Sequence, residues 1–408
     1  MSVPSHVRAA WAALPLIAFR AAAGGMPILL GLFIASRWGL EQLAAFTVAN
    51  AAVAVALIVA DWGATRALPR NLATLPPAGA AELLSSANAF RLLLVVALLI
   101  LGLAAAATRW IAADIAVYAG ILFPLCFLGA ITTNGVSERV VAGETLPILT
   151  AVLAGLATFA AGALVAVQFG PRWFVAAYVL GKAVESLVIT AGRWWVLHVS
   201  ARSMGSTAAA LWPFSLQAIL GVIYARLSVF TVEQMATRAE LGVFSVAMAL
   251  YAALLLVPTS LALVQFPELT RRVQRHDRAG ARRLVVRYAI ISAGGVAAGV
   301  LLLAALSGPV GALLKVPRPY LGFVIAFAAL AFLNIFSAMT GFFMQAMGRE
   351  ELAARLSVVT LLVALVYQIA ALAWIGLWGI VAAVAAAELT TVAIFGAALM
   401  RSREKEWR

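Results

Sequence analysis

Residues 91–108 read RLLLVVALLILGLAAAAT, one arginine followed by seventeen residues without a charge. A transmembrane helix needs about 20 predominantly apolar residues, and runs of this kind recur along the whole chain. Of the 408 residues, 64% are hydrophobic and only 11% are charged. Because a soluble domain carries roughly a quarter charged residues, this chain cannot cover a water-facing surface. The sequence therefore predicts a membrane protein that crosses the bilayer many times.

The apolar runs between charged or Pro/Gly-containing segments predict about twelve spans. All are expected to be helices, because an open sheet edge cannot face lipid. The predicted spans are 10–36, 40–60, 91–108, 115–134, 146–168, 173–192, 209–234, 241–264, 286–306, 321–346, 353–374 and 377–400. The expected fold class is thus an all-α polytopic membrane protein.

The basic residues predict the orientation. The net charge is +13, but the charges lie in short loops between spans, which argues against a nucleic-acid partner. Of the 29 Lys and Arg residues, 20 lie on the side of the termini, 6 on the opposite side and 3 within spans. Since basic loops stay in the cytoplasm, both termini are expected there.

An internal repeat predicts two lobes. Phe46–Ala49 (FTVA) in the second span resembles Phe244–Ala247 (FSVA) in the eighth, and Pro69 corresponds to Pro267 at the same offset of 198 residues. A six-helix unit contains an even number of spans, so the copies would be parallel repeats with a central cavity between them, as in transporters. The predicted lobes are residues 1–200 and 201–408.

Three basic residues fall inside predicted spans, where an ionisable group is costly and needs a reason. Arg20 and Arg226 lie on equivalent helices of the two lobes, and two arginines on opposite cavity walls could bind a phosphate or pyrophosphate. The alternative is that each pairs with a carboxylate or extends to the membrane surface. Lys182 is a third candidate for the cavity, but Glu185 lies three residues away and a self-neutralising pair is favoured.

Four acidic residues are candidates for coupling transport to an ion: Glu388, Asp61, Glu185 and Glu233. Glu388 lies midway along the twelfth span with no obvious local partner. The alternatives are a salt bridge to a cavity arginine or a hydrogen-bonded neutral acid. Pairing is favoured for Asp61, which has Arg66 nearby.

Gly24, Gly25 and Pro27 interrupt the first span and predict a hinge in a gating helix. The chain lacks a phosphate-binding loop motif and a clustered histidine metal site, and its extramembrane segments are too short to fold as a catalytic domain. No enzyme, metal site or cofactor is therefore expected, apart from coupling to H⁺ or Na⁺.

Three stretches carry a resemblance to a known family: Ala60–Arg66, Tyr224–Arg226 continuing through Glu240–Ala247, and Val257–Pro258 through Phe266–Leu269. With the two six-helix lobes and short loops, they resemble the multidrug/oligosaccharidyl-lipid/polysaccharide (MOP) exporter superfamily. Within it, the chain is most similar to the polysaccharide-synthesis (Wzx-like) flippases. The resemblance covers essentially the whole chain.

The resemblance implies export of a polyprenyl-pyrophosphate-linked oligosaccharide, a polysaccharide or lipopolysaccharide precursor, across the bacterial inner membrane by alternating access. Arg20 and Arg226 would fit a cationic cavity for the pyrophosphate. Membrane lipids and other glycan-assembly proteins are the expected partners. Many relatives carry an acid two residues after the seventh-helix arginine, whereas this chain has Ser228, so Glu388 or Asp61 gains weight as the coupling residue.

Three rival functions stay open. A drug/cation antiporter of the same superfamily should have cavity acids rather than arginines. A membrane glycosyltransferase or glycan polymerase should have a large external loop, but the loop at 307–320 is short and contains no acid. A non-transporting scaffold in a glycan-assembly complex is the third.

Overall fold

The computed structural model describes residues 24–72, 75–190 and 201–406, and the regular structure of these residues is entirely helical. In lipid only internally hydrogen-bonded segments satisfy their backbone groups, which explains why these apolar runs form helices. The helices are α1 (24–38), α2 (Leu40–Asp61), α3 (Ala64–Leu72), α4 (Pro77–Ala107), α5 (Ala113–Leu122), α6 (Pro124–Val141), α7 (Leu146–Ala166), α8 (Pro171–Thr190), α9 (Ala201–Met235), α10 (Arg238–Gln274), α11 (Arg278–Ala305), α12 (Ser307–Leu313), α13 (Leu321–Ala329), α14 (Ala331–Ala346), α15 (Glu350–Ile375) and α16 (Leu377–Glu406).

Eleven candidate membrane spans occur among the described residues. They correspond to predicted spans two to twelve. The first predicted span, 10–36, lies partly outside the described residues, and its described part belongs to α1. The predicted all-α polytopic fold is confirmed.

The third predicted span began too late. The structure starts α4 at Pro77, so Arg91 lies in the middle of a 31-residue helix rather than in a loop. The prediction placed Arg91 among the cytoplasmic residues, because an arginine next to an apolar run normally marks a span end. Its carboxylate partner, described below, is what allows it to lie inside the span.

Two spans in equivalent places are broken midway. The fourth consists of α5 and α6, which meet at Phe123, and the tenth consists of α13 and α14, which meet at Leu330. Pro124 follows the first break as the opening residue of α6, where its missing N–H costs nothing. The second break has no proline.

The repeated FTVA and FSVA segments make equivalent contacts. Phe46 packs edge-to-face on Tyr118, with ring centroids 6.1 Å apart, and Phe244 packs edge-to-face on Phe327 at 5.2 Å. In each case an aromatic residue of the second helix of a repeat meets one in the fourth. The contacts agree with the internal repeat.

The described residues group by packing into two compact units. Unit 1 contains residues 45–223, and unit 2 contains residues 24–44 with 224–406. Residues 24–44, which were predicted in the N-terminal lobe, thus belong to unit 2. Residues 201–223, which were predicted in the C-terminal lobe, belong to unit 1. The lobe boundary at residue 200 stays a prediction, since residues 191–200 lie outside the described ranges.

Two glycines bring α7 and α8 of unit 1 into backbone contact. A Cβ atom on Gly181 would lie 2.7 Å from the carbonyl oxygen of Gly155, and one on Gly155 would lie 2.8 Å from the carbonyl oxygen of Gly181. Small residues let membrane helices approach closely and gain dispersion contacts. The same approach places Glu185 of α8 against α7.

Candidate functional site

Glu388 lies at the centre of a buried polar site in unit 2. Its side chain accepts hydrogen bonds from the Asn334 amide at 3.0 Å and from the Ser337 hydroxyl, both on α14. Tyr224 of α9 also hydrogen-bonds to Glu388. Three helices, α9, α14 and α16, therefore converge on one carboxyl group that is only 2% exposed.

The Glu388 carboxyl has no cationic partner among the described residues. Each of its contacts is to a neutral donor, which solvates the group without neutralising it. A buried ionised carboxylate without a countercharge is costly, so a group in this position favours carrying a proton or binding a cation. The described contacts of Glu388 are those of the hydrogen-bonded acid, one of its two predicted alternatives.

Arg226 lies on α9 of the same unit, two residues after Tyr224 and within the Ala218–Met235 span. The side chain is half-buried. Among the described residues, no carboxylate pairs with its guanidinium and no acceptor hydrogen-bonds to it. Arg226 is thus a cation held at membrane depth without a countercharge, and it can accept an anionic group.

Asp61 and Arg91 form a buried ion pair in unit 1. The Arg91 Nη2 atom donates to Asp61 Oδ1 at 2.9 Å, and the side chains are 1% and 8% exposed, respectively. Asp61 also accepts from Thr65, through the backbone N–H at 3.1 Å and the hydroxyl at 2.8 Å. The described partner of Asp61 is thus Arg91 of α4, and the side chain of Arg66, the nearby arginine named in the prediction, lies outside what the structure describes.

Other Arg91 donors bind acceptors on two helices of the same unit, α2 and α6. Nε donates to the Ala60 carbonyl at 3.3 Å, and Nη1 donates to the Ala130 carbonyl at 3.1 Å and to Asn134 Oδ1 at 3.0 Å. Asn134 in turn donates to Asn88. Arg91 therefore joins α2, α4 and α6, which makes it a structural residue rather than one available to a substrate.

Lys182 and Glu185 form the ion pair that their spacing predicts. Lys182 Nζ lies 2.7 Å from Glu185 Oε2, and the Glu185 side chain is 5% exposed. Since each charge has its partner on the same helix, this pair adds no net charge to unit 1. The geometry favours a structural role over substrate or ion binding for both residues.

The other candidates lie apart from these sites. Glu233 is half-buried near the end of α9 and accepts a hydrogen bond from Gln234 at 2.7 Å. Gly24, Gly25 and Pro27 belong to α1, which is helical from 24 to 38. The predicted hinge stays a prediction, and Arg20 lies outside the described residues.

Sequence reasoning missed Arg91 and the donors around Glu388. An Asn and a Ser on one helix and a Tyr on another carry no linear signature. Arg91 could have been suspected, because Asp61 directly follows one predicted span and Arg91 begins the next.

Within the described ranges, no cluster of three or more His, Cys, Asp or Glu side chains could hold a metal ion.

No protein-family model matches the chain, and neither does any curated protein. Its fold is nonetheless similar to solved structures. An inward-facing multidrug resistance MATE family transporter of the MOP superfamily superimposes with a TM-score of 0.75 at 17% identity, covering 94% of this chain and 96% of that one. The lipid II flippase MurJ, in an inward closed conformation, superimposes with a TM-score of 0.73 at 14% identity, covering 94% and 87%.

An outward-facing MATE family transporter gives a TM-score of 0.69 at 16% identity over 96% of both chains. These likenesses extend over nearly the full length of both partners. The chain therefore has the two-lobed fold of the MOP-superfamily transporters.

Proposed function

We propose that this chain is a flippase that moves a polyprenyl-pyrophosphate-linked oligosaccharide from the inner to the outer leaflet of a bacterial inner membrane. Transport would proceed by alternating access, and the cargo would be a polysaccharide or lipopolysaccharide precursor. The observation that carries the proposal is Arg226, a cation at membrane depth with no described carboxylate partner. The fold supports a transporter, since the similar solved structures are MATE transporters and a lipid II flippase.

The distribution of charges supports an anionic cargo. In unit 1 the buried charges cancel, Asp61 with Arg91 and Lys182 with Glu185. Arg226 has no such partner, and a guanidinium recognises phosphate oxygens through paired, charge-assisted hydrogen bonds. Holding an unpaired arginine inside a span is costly, and binding a phosphate group during transport would offset that cost. Arg20 would join Arg226 in this role.

Glu388 is the residue we assign to coupling. The Asn334 amide and the Ser337 hydroxyl both present donors to its carboxyl group, which leaves few oxygen atoms free to surround a metal cation. Hard cations require several oxygen ligands. This arrangement favours H⁺ over Na⁺ as the coupling ion.

A drug/cation antiporter is the second candidate, and the specific observation in its favour is also Glu388. A buried acid without a countercharge can attract a cationic drug as well as a proton. The two candidates differ in Arg226, because an unpaired arginine repels a cationic drug but attracts a pyrophosphate. A drug antiporter should therefore gain or keep activity when Arg226 is neutralised, whereas a lipid-linked glycan flippase should lose it.

Proteoliposomes that contain a polyprenyl-pyrophosphate-linked oligosaccharide extracted from bacterial cells provide the test. We expect Arg226→Gln to reduce flipping by at least about tenfold, as befits the loss of a charge-assisted contact, and Arg226→Lys to retain part of the rate. The matched control is the double variant K182Q/E185Q, which removes a paired intramembrane charge and should keep near-normal flipping. Normal flipping by Arg226→Gln would overturn the assignment.

A further inference from the structure

A basic groove lies along the start of α11 in unit 2. The groove is open on one side, with about 670 Å³ of space beside it, and is lined by a single helical face: Ala279, Arg282, Arg283, Val286, Arg287, Ile290 and Ile291. We refer to these residues as the arginine groove. All three arginines are exposed, and Ile290 and Ile291 are 66% and 43% exposed.

The arginine groove is basic near the start of α11 and apolar further along the helix. The three arginines occupy positions 282 to 287, and beyond them only apolar side chains continue along this face. From Arg283 to Ile290 the helix rises roughly 10 Å, at about 1.5 Å per residue. Because α11 is a candidate membrane span, the arginines lie toward its aqueous end and the isoleucines lie deeper in the hydrocarbon.

The three arginines lack carboxylate partners. Arg283 Nε makes a long hydrogen bond of 3.4 Å to the Ala279 carbonyl, and among the described residues no ion pair includes Arg282, Arg283 or Arg287. Neighbouring arginines differ in this respect, since Arg272 pairs with both Glu268 at 2.8 Å and Asp277 at 3.1 Å. The arginine groove therefore concentrates uncompensated positive charge above an apolar surface.

We infer that the arginine groove binds an anionic phospholipid, with its phosphate on the three arginines and an acyl chain along Val286, Ile290 and Ile291. Charge complementarity selects the phosphate, and guanidinium groups bind phosphate oxygens in pairs. The exposed isoleucines select a lipid over a soluble anion, because a soluble anion would leave them uncovered. The ligand is assigned as a phospholipid of the surrounding bilayer, a function separate from transport of the cargo.

A second cavity adjoins the same residues. It encloses about 610 Å³ between the ends of α10, α11, α14 and α16, and Arg282 lines both cavities. The lining of this second cavity is mainly apolar and includes Met339, Met347 and Met400. Methionine side chains adapt to irregular apolar ligands, so this cavity can accept a second acyl chain of the same lipid.

Native mass spectrometry of the full chain from nanodiscs containing phosphatidylglycerol and phosphatidylcholine in equal amounts tests the inference. We expect wild-type protein to retain phosphatidylglycerol and the triple variant R282Q/R283Q/R287Q to retain roughly 100-fold less, at roughly fivefold for each basic residue. The matched control is R271Q/R272Q/R355Q, which removes the same charge from carboxylate-paired arginines and should retain the lipid. Arg226→Gln should retain it too, which keeps this result independent of the proposed transport function.

Two outcomes would overturn the inference. Equal loss of phosphatidylglycerol from both triple variants would mean that total charge, not the arginine groove, holds the lipid. Retention of added undecaprenyl pyrophosphate by the wild type, with no retention of phosphatidylglycerol, would mean that the groove receives the cargo lipid instead. Loss confined to R282Q/R283Q/R287Q supports the phospholipid site.

Discussion

The Arg91 guanidinium donates to the Asp61 carboxylate at 2.9 Å, deep within unit 1 and with both side chains buried. The two residues are thirty positions apart and lie on different helices. Arg91 also binds carbonyl groups of α2 and α6, so this one side chain fixes the end of α2, where the chain turns through Trp62 and Gly63 into α3. An arginine that resembles a topology signal in the sequence is thus a structural centre of the lobe.

Removing one partner of this pair should be strongly destabilising. Arg91→Met leaves the Asp61 carboxylate buried without a countercharge, which costs about 3–5 kcal/mol. The double variant D61L/R91M should recover much of that loss, because an apolar pair leaves no unpaired charge. Thermal unfolding in detergent, followed by intrinsic tryptophan fluorescence, measures both effects.

The exposed pair of Glu351 and Arg355 provides the control, with side chains 82% and 75% exposed. Arg355→Met should change the stability by less than about 1 kcal/mol, because water screens an exposed pair. Equal stability of Arg91→Met and wild type would contradict the assigned role of Arg91.

Two glycine-to-alanine substitutions, one at the contact between α7 and α8 and one away from it, should have opposite effects on stability. Gly181→Ala places a methyl group 2.7 Å from the Gly155 carbonyl oxygen, so the helices must separate and unit 1 should melt at a lower temperature. Gly205→Ala, within α9, meets no atom within 4 Å and should stabilise the helix by about 0.5–1 kcal/mol. Melting curves of the two variants provide the comparison. An unchanged melting temperature for Gly181→Ala would show that the helices do not approach so closely.

Neutralising Glu388 should uncouple transport rather than unfold the protein. Glu388→Gln keeps an oxygen to accept from Asn334, and its NH2 group can donate to the Ser337 hydroxyl oxygen, but it cannot exchange a proton. Cargo should therefore still bind while a pH gradient no longer drives flipping. Flipping rates in proteoliposomes under an imposed pH gradient or an imposed Na⁺ gradient measure this directly. If only a Na⁺ gradient accelerates flipping by the wild-type protein, the assignment of H⁺ is refuted. If a pH gradient accelerates flipping by Glu388→Gln as much as by the wild type, the role of Glu388 is refuted.

The predicted hinge at Gly24 and Gly25 can be tested without steric damage. A Cβ on either residue would meet Leu256 side-chain atoms at 3.4 Å and 3.6 Å, which is ordinary contact, so G24A/G25A should fold and insert normally. If α1 bends there during transport, the more rigid helix should slow flipping several-fold while substrate binding persists. Normal flipping by G24A/G25A would remove the hinge from the account.

The sequence was sufficient for the fold because lipid imposes a simple rule: an apolar run of sufficient length must be a helix. The rule failed at Arg91, where a charge ended the predicted span but not the helix, since a distant carboxylate neutralises it. The spacing of Lys182 and Glu185 was enough to predict their ion pair, because residues three apart share a helix face. The donors to Glu388 could not be predicted, since they come from two other helices whose packing no short motif encodes.

The central claim is that this chain flips a lipid-linked glycan, and the most direct test is mass spectrometry of polyprenyl-linked lipids in cells that lack it. The account predicts that a complete lipid-linked repeat unit accumulates on the cytoplasmic face. Expression of the wild-type chain should clear this lipid, and expression of Arg226→Gln at equal membrane levels should not. An unchanged lipid pool, together with raised sensitivity to cationic drugs, would contradict the claim and indicate an antiporter.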